Sequence, residues 1–322
     1  MPPEPRTGAW RSIALAAALY TALTLAFFAP SLARTDSALI GPPEDNMQFH
    51  WFQRYGADAL ADPHKTLMRT TDMYYPGGIT LYYANYYYYG VFITAALRPL
   101  LHNDILIFNL LVLHTFPAAA LAGYALTRHF TGDTYGALIG GYIFGFNPAH
   151  FAHALHHVTI ATVHFVPLYI LFTLRALRDG RKRDIAGAAA SLALGALCDW
   201  NYLVFGIVFA ALIVVYRMLK ERTLLPLRSI GIVAASGLLA AAALSPLLWP
   251  MIRIGLTTPF KNKLPGHDIF VADLLGYITP HTYHLTALWE PVRRINTAMT
   301  GTDWEKPVYL GQIGRASCRE RV

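Results

Sequence analysis

Apolar runs separated by short polar connections set the pattern of the chain, at residues 12–33, 105–126, 135–151, 158–174, 185–198, 202–216 and 230–249. Each approaches the roughly 20 residues that a helix needs to cross the hydrocarbon core of a bilayer. The first run carries no charge, lacks a convincing small-residue cleavage site and is followed by further runs, so it predicts a retained helix rather than a signal peptide. The fifth is short and alanine-rich and meets the sixth at Cys198-Asp199-Trp200-Asn201, which predicts a tight helical hairpin whose turn reaches only the interface. The apolar piece at 86–97, at about twelve residues, is too short to cross. Its tyrosines (Tyr82, Tyr83, Tyr86, Tyr87, Tyr88 and Tyr89) predict an interfacial helix, either as an aromatic belt or as a surface for sugar or lipid. The fold class expected is all-α, a polytopic transmembrane helical bundle of about seven spans. A long first external loop, 34–104, should carry interfacial helices.

Composition agrees: 55% of the 322 residues are hydrophobic and 14% charged, more apolar surface than a soluble core of this length could hide. The formal charge of +7 does not point to nucleic acid, because Lys and Arg are grouped in short connections between apolar runs. Arg175, Arg178, Arg181, Lys182 and Arg183 share one such loop, and Arg217, Lys220, Arg222 and Arg228 share another. Basic loops stay cytoplasmic, which places the N-terminus and Arg128 inside and the loop 34–104 outside, at a plasma or inner membrane.

Residues 313–322 (IGRASCRERV) change abruptly in character and match the translation of a common sequencing-library adapter. Three arginines and one glutamate there account for +2 of the charge, leaving about +5, and Cys198 is then the one native cysteine. The expected organisation is a transmembrane module at 1–252, a second external segment at 253–312 leading to a missing C-terminal part, and a foreign tail.

Among motifs that carry chemistry, the chain has no phosphate-binding Gly-rich loop, dinucleotide fingerprint, His-Glu-x-x-His, nucleophile elbow or Asp-x-Asp pair. Without an Asp-x-Asp pair to hold a nucleotide sugar through a metal, a donor lacking a nucleotide is preferred. The most informative stretch is Glu44-Asp45-Asn46-Met47-Gln48-Phe49-His50-Trp51-Phe52, predicted to begin a helix lying flat on the outer leaflet, with Trp51 and Tyr55 on one side. Asp45 at that surface could act as general base toward a hydroxyl. Asp45 followed by Gln48 also resembles a capping box, a role that would weaken the base.

At the end of the third run, His150, His153 and His157 would share one face of a continuous helix. They could ligate a divalent metal, contact a phosphate or satisfy their own hydrogen bonds. Asp199 and Trp200 belong to the same outer surface, as a site or as a helix cap. His267, Asp268, Asp273, Pro280, His281, His284, Trp304 and Glu305 in the second external segment would suit a sugar or glycan.

The order of these features resembles the GT-C superfamily of polytopic glycosyltransferases. One span is followed by Asp45, Asn46 and Trp51, then by the Tyr74-Tyr75-Pro76-Gly77-Gly78 turn. Leu126-Thr127-Arg128, Thr131-Gly132-Asp133 and Phe144-Gly145-Phe146-Asn147-Pro148 come next, and then Pro167-Leu168, Asp199-Trp200-Asn201-Tyr202 and Tyr309-Leu310-Gly311. The resemblance implies a polyprenyl-phosphate sugar donor, a lipid, glycan or protein acceptor, and inverting transfer on the extracytoplasmic face with Asp45 as base. It implies substrate contacts at Asn46, Trp51, Arg54, Arg69, Tyr75, His150, His153, His157, Asp199 and Trp200. A phosphate leaving group needs charge stabilisation more than a proton, and Arg54, Lys65, Arg69 and the His150 face are the available groups. The second external segment departs from the better-understood members in offering histidines where they have acidic residues, which argues against carrying over their metal dependence. Two other classes stay open, a transporter or flippase of lipid-linked sugars and a non-catalytic cell-envelope partner. Transporters commonly put ionisable residues at mid-membrane, and the apolar runs here are nearly free of them.

Overall fold

The computed structural model describes residues 6–82, 84–222, 226–257, 273–280 and 289–299, with side chains from Trp10 onward. Helix α1 (Arg6–Phe27) is followed by a short α2 (Ala29–Leu32) and by α3 (Asp45–Ala61). A two-stranded antiparallel hairpin, β1 (Arg69–Thr70) and β2 (Ile79–Thr80), leads to α4 (Tyr88–Leu101). The remaining helices are α5 (Asp104–Thr131), α6 (Thr134–Gly145), α7 (Pro148–His156), α8 (Val158–Ala161), α9 (Phe165–Asp179), α10 (Lys182–Cys198), α11 (Trp200–Glu221), α12 (Leu227–Thr257) and α13 (Glu290–Ala298).

Local chemistry sets the boundaries. The Asn103 side chain accepts from Leu106 N–H and starts α5, and Gly132, at φ +69°, ends it. Asp133 then accepts from Gly136 N–H to start α6. Pro148 forces Asn147 into an extended conformation, so the apolar run at 135–151 breaks into α6 and α7, with the Asn147 side chain accepting from His150 N–H at 2.9 Å. Gly180, at φ +68°, stops α9, and one extended residue, Asp199, separates α10 from α11.

Five stretches among the described residues are long and apolar enough to cross a membrane: Trp10–Phe27, Asp104–Thr131, Val158–Asp179, Trp200–Glu221 and Leu227–Thr257. Of the other two expected crossings, one is the twelve-residue α6 and the other the 17-residue α10. Burial separates centre from rim. Over 18 residues of each, the Asp104–Thr131 and Val158–Asp179 stretches are 56% buried, whereas Trp10–Phe27 and Trp200–Glu221 are 17% buried and turn apolar side chains outward.

Glycine permits a close approach between α5 and α6. A Cβ on Gly145 would stand 2.6 Å from the Ala120 Cβ and 2.7 Å from its backbone nitrogen. Small residues of this kind let membrane helices pack where no hydrophobic drive distinguishes protein from lipid. Above that contact, Phe116 packs on Phe28 and Phe151, with ring centroids 5.1 and 4.7 Å apart.

The two ends of the bundle differ. At one end Arg128 contacts Ser12 and Tyr124, and Arg228 reaches the α9 terminus at Gly180. At the other end, α3, α4 and the α7–α8 segment pack over the start of α5. Two expectations change here. Helix α3 does not lie free on a surface, because Asn46, Phe49, Phe52, Gln53, Tyr55, Gly56 and Ala57 are buried. Tyr86, Tyr87 and Tyr88 form core rather than a belt: each is at most 2% exposed, and the Tyr87 hydroxyl bonds Thr162 Oγ1 at 2.9 Å. Tyr83, His267, Asp268, His281, His284, Trp304, Glu305 and the Tyr309-Leu310-Gly311 motif lie outside the described residues.

Candidate functional site

Glu44, Asp45 and Asn46 open α3 against the end of α7, and the three side chains do different things. Asn46 is 1% exposed; its Nδ2 donates to the Ala154 carbonyl at 2.9 Å and its Oδ1 accepts from Val158 N–H at 3.0 Å. Expected as a substrate contact, Asn46 is instead a clasp, its amide spent on the backbone at the α7–α8 join. Glu44 Oε2 meets His156 Nδ1 at 2.7 Å, and the imidazole is buried. Asp45 Oδ2 stands 2.8 Å from His157 Nε2, and this pair is open, with side chains 57% and 35% exposed.

Asp45 is not the cap of its helix. Glu44 holds the N-cap position, no side chain there bonds the first-turn amides, and Asp45 is the first helical residue. The capping-box expectation therefore fails, and the carboxylate is left to its imidazole partner.

The three-histidine face does not form. Helix α7 ends at His156, and His157 follows at φ −136°, ψ 73°. His150 turns into the core, stacked on Phe116 with centroids 4.5 Å apart and its Nε2 3.2 Å from Thr115 Oγ1. His153 stays near His157, with ring centroids 6.1 Å apart. Burial first, then repulsion from His157 and His156, pushes the His153 pKa down to about 4, against an opposing pull from Asp199. Among the described residues no group of three or more His, Cys, Asp or Glu side chains is arranged to hold a metal.

Asp199 comes to the same neighbourhood from the α10–α11 corner. Its Oδ1 accepts from Asn201 N–H at 2.9 Å, which is the expected cap, while Oδ2 accepts from Asn85 Nδ2 at 3.0 Å. Asn85 also reaches Thr159 Oγ1 at 3.3 Å, tying the residues before α4 to α8 and α11. Trp200 packs edge-on to Tyr88, with centroids 6.3 Å apart, and its buried indole N–H finds no partner among the described residues. Three sequence motifs far apart in the chain thus meet at one end of the bundle.

The expected cations stand elsewhere. Arg54, nine residues along α3 and so about 13 Å from Asp45 along the axis, lies 3.9 Å from Asp104 in a network centred on Arg98. Arg98 bonds Asp104 at 2.8 Å and Asp58 at 2.6 Å, and Lys65 adds a contact to Asp58 at 3.8 Å. Arg69 bonds the Gly77 carbonyl within its own hairpin at 3.0 Å. Tyr75, at the hairpin tip beside a cis Tyr75–Pro76 bond, is 84% exposed, and Trp51 stacks on Tyr55 with centroids 5.1 Å apart.

Sequence reasoning missed Glu44–His156 and Asn85, whose partners are remote in the chain. It also missed His114 and His164, which with His150 bring three imidazoles into the interior of the bundle. His114 and His164 have ring centroids 5.5 Å apart, the Tyr89 hydroxyl is 3.4 Å from His114 Nε2, and the buried Nδ1 atoms of His150 and His164 lack a partner among the described residues. The signal was a single histidine in each of two apolar stretches.

No curated protein and no solved structure matches the chain. A family model described as Domain of unknown function (DUF6311) matches residues 9–314, nearly the whole length, and the chain therefore belongs to that family.

Proposed function

We propose that the protein is an inverting membrane glycosyltransferase that moves a sugar from a polyprenyl-phosphate carrier to an acceptor hydroxyl, with Asp45 as general base. The observation that carries this is the state of Asp45: an open carboxylate, free of capping duty, 2.8 Å from an imidazole. It shares one end of an apolar helical bundle with Asp199 and Trp200. In the transfer, Asp45 takes the proton of the acceptor hydroxyl and the oxygen's electron pair forms the bond to the anomeric carbon. The bond from that carbon to the phosphate oxygen breaks, and its pair leaves on polyprenyl phosphate. With Arg54 and Lys65 engaged by carboxylates and Arg69 by its hairpin, His153 and the Trp200 N–H are the donors for the departing anion. Trp51 and Tyr75 supply faces for the sugar and the acceptor.

Seven crossings fit this function, the five long stretches with α6 and α10. The basic end then faces the cytoplasm together with the N-terminus, and Asp45 and Asp199 face the extracytoplasmic side of a plasma or inner membrane. The acceptor class is a glycan, lipid or protein hydroxyl. A second function, a transporter or flippase of lipid-linked sugars, is favoured by the interior imidazoles His114, His150 and His164, since ionisable groups inside a bundle mark pathways.

Proteoliposomes holding the full chain, given labelled polyprenyl-phosphate hexoses and a mixed glycan and lipid acceptor pool, separate the two. Label passing into acceptor supports the transferase. Label crossing the bilayer still attached to its carrier, with none in acceptor, overturns it in favour of the transporter.

A further inference from the structure

The α3–α7 junction holds two carboxylate–imidazole pairs side by side, and they are not equivalent. In Glu44–His156 the imidazole is 4% exposed, and the neighbouring Asn46 amide bonds Ala154 and Val158 on the same segment. These contacts fasten α3 to the α7–α8 join. Asp45–His157 lies between them, is open to solvent and adds little to the fastening, since exposed carboxylate–imidazole contacts are weak.

We propose that His157 is the positioning residue of Asp45, a role that rests on the transferase function above. The imidazole engages Oδ2 and so turns Oδ1 toward the acceptor hydroxyl. The backbone assists, because His157 leaves the helical conformation at φ −136°, which brings its ring back toward α3 instead of continuing the His150–His153 row. Phe49, edge-on to His157 with centroids 6.2 Å apart, limits the ring's freedom from the α3 side. The buried pair and the clasp keep the two backbones in place, so one contact can orient the base without also carrying the fold. Oriented general bases contribute about 10²- to 10⁴-fold to rate, and a misplaced one loses part of that.

The experiment measures kcat and KM for transfer from the labelled polyprenyl-phosphate hexoses by the full chain in membranes, together with the thermal stability of the purified protein. His157→Ala should lower kcat about 10- to 100-fold, leave both KM values within about threefold and leave the melting temperature within a few degrees. His157→Gln, which returns an N–H near the position of Nε2, should recover kcat to within about fivefold of wild type. His156→Gln, which opens the buried pair, should lower the melting temperature more than His157→Ala does. An unchanged kcat in His157→Ala, a Gln variant no better than Ala, or a fall in melting temperature as large as that of His156→Gln would each overturn the proposal while leaving the transferase standing. Absence of transfer by inserted wild-type protein would overturn both.

Discussion

Replacing Asn46 by Ala removes the clasp beneath the candidate base and leaves the adjacent carboxylate chemically intact. The side chain is 1% exposed and makes two bonds of ordinary length, 2.9 and 3.0 Å, to a backbone carbonyl and a backbone amide. Each hydrogen bond contributes about 1 kcal/mol net, and each buried partner left unsatisfied costs about 1 to 3 kcal/mol. Ala154 is fully buried and Val158 likewise, so water reaches the orphaned groups poorly. With two such partners orphaned, the expected loss is about 2 to 6 kcal/mol, less whatever a water molecule entering the vacated space restores. Denaturant titration of the detergent-solubilised protein, followed by helix signal, gives the difference between wild type and Asn46→Ala. Hydrogen exchange at the Val158 amide should rise in step. A loss below about 1 kcal/mol, with Val158 still protected, would show that the α3–α7 junction is held by something other than this clasp.

Close packing of α5 on α6 makes Gly145→Ala destabilising by about 1 to 3 kcal/mol, because the new methyl would meet the Ala120 backbone rather than a mobile side-chain tip. Gly231→Ala on α12 has nothing within 4 Å of the added Cβ among the described residues and should stabilise by up to about 1 kcal/mol, so the same assay should return opposite signs. For His153 the sign follows from a folded-state pKa pushed down to about 4, below that of an unfolded imidazole. The unfolded chain binds the extra proton first as pH falls, so wild type should lose stability relative to His153→Gln between about pH 6.5 and pH 4 and lose little above that window. Thermal melts of the two proteins across that range check it, and parallel curves would mean that His153 is not held in its partly buried, neutral form.

Much of the architecture was legible because apolar length is a one-dimensional property: every long stretch that could cross a bilayer coincides with a run visible in the chain. What failed was the assignment of surface to core. The tyrosines around the start of α4 look like an interfacial belt by composition, yet Tyr86, Tyr87 and Tyr88 are buried, Tyr86 packing on Phe52 of α3, Tyr87 bonding Thr162 and Tyr88 packing on Trp200, and none of these partners is encoded locally. Helical periodicity placed His157 in register with His150 and His153, but α7 stops one residue short of it. Asp45 and Asp199 stood out as carboxylates beside aromatic residues near apolar runs. Their partners did not, since His157 is separated from Asp45, and Asn85 from Asp199, by more than a hundred residues. The cation assignments failed for a related reason, since a positive charge in an external loop says nothing of the carboxylates that will claim it, as Asp104 and Asp58 claim Arg54, Lys65 and Arg98.

In the proposed transfer the Asp45 carboxylate accepts the proton of the acceptor hydroxyl. Single-turnover transfer from a labelled polyprenyl-phosphate hexose by Asp45→Asn, an isosteric change at an exposed position, measures that step directly. A rate about 10²- to 10⁴-fold below wild type at saturating donor, with donor affinity retained, is the predicted result; a rate within threefold of wild type would contradict it.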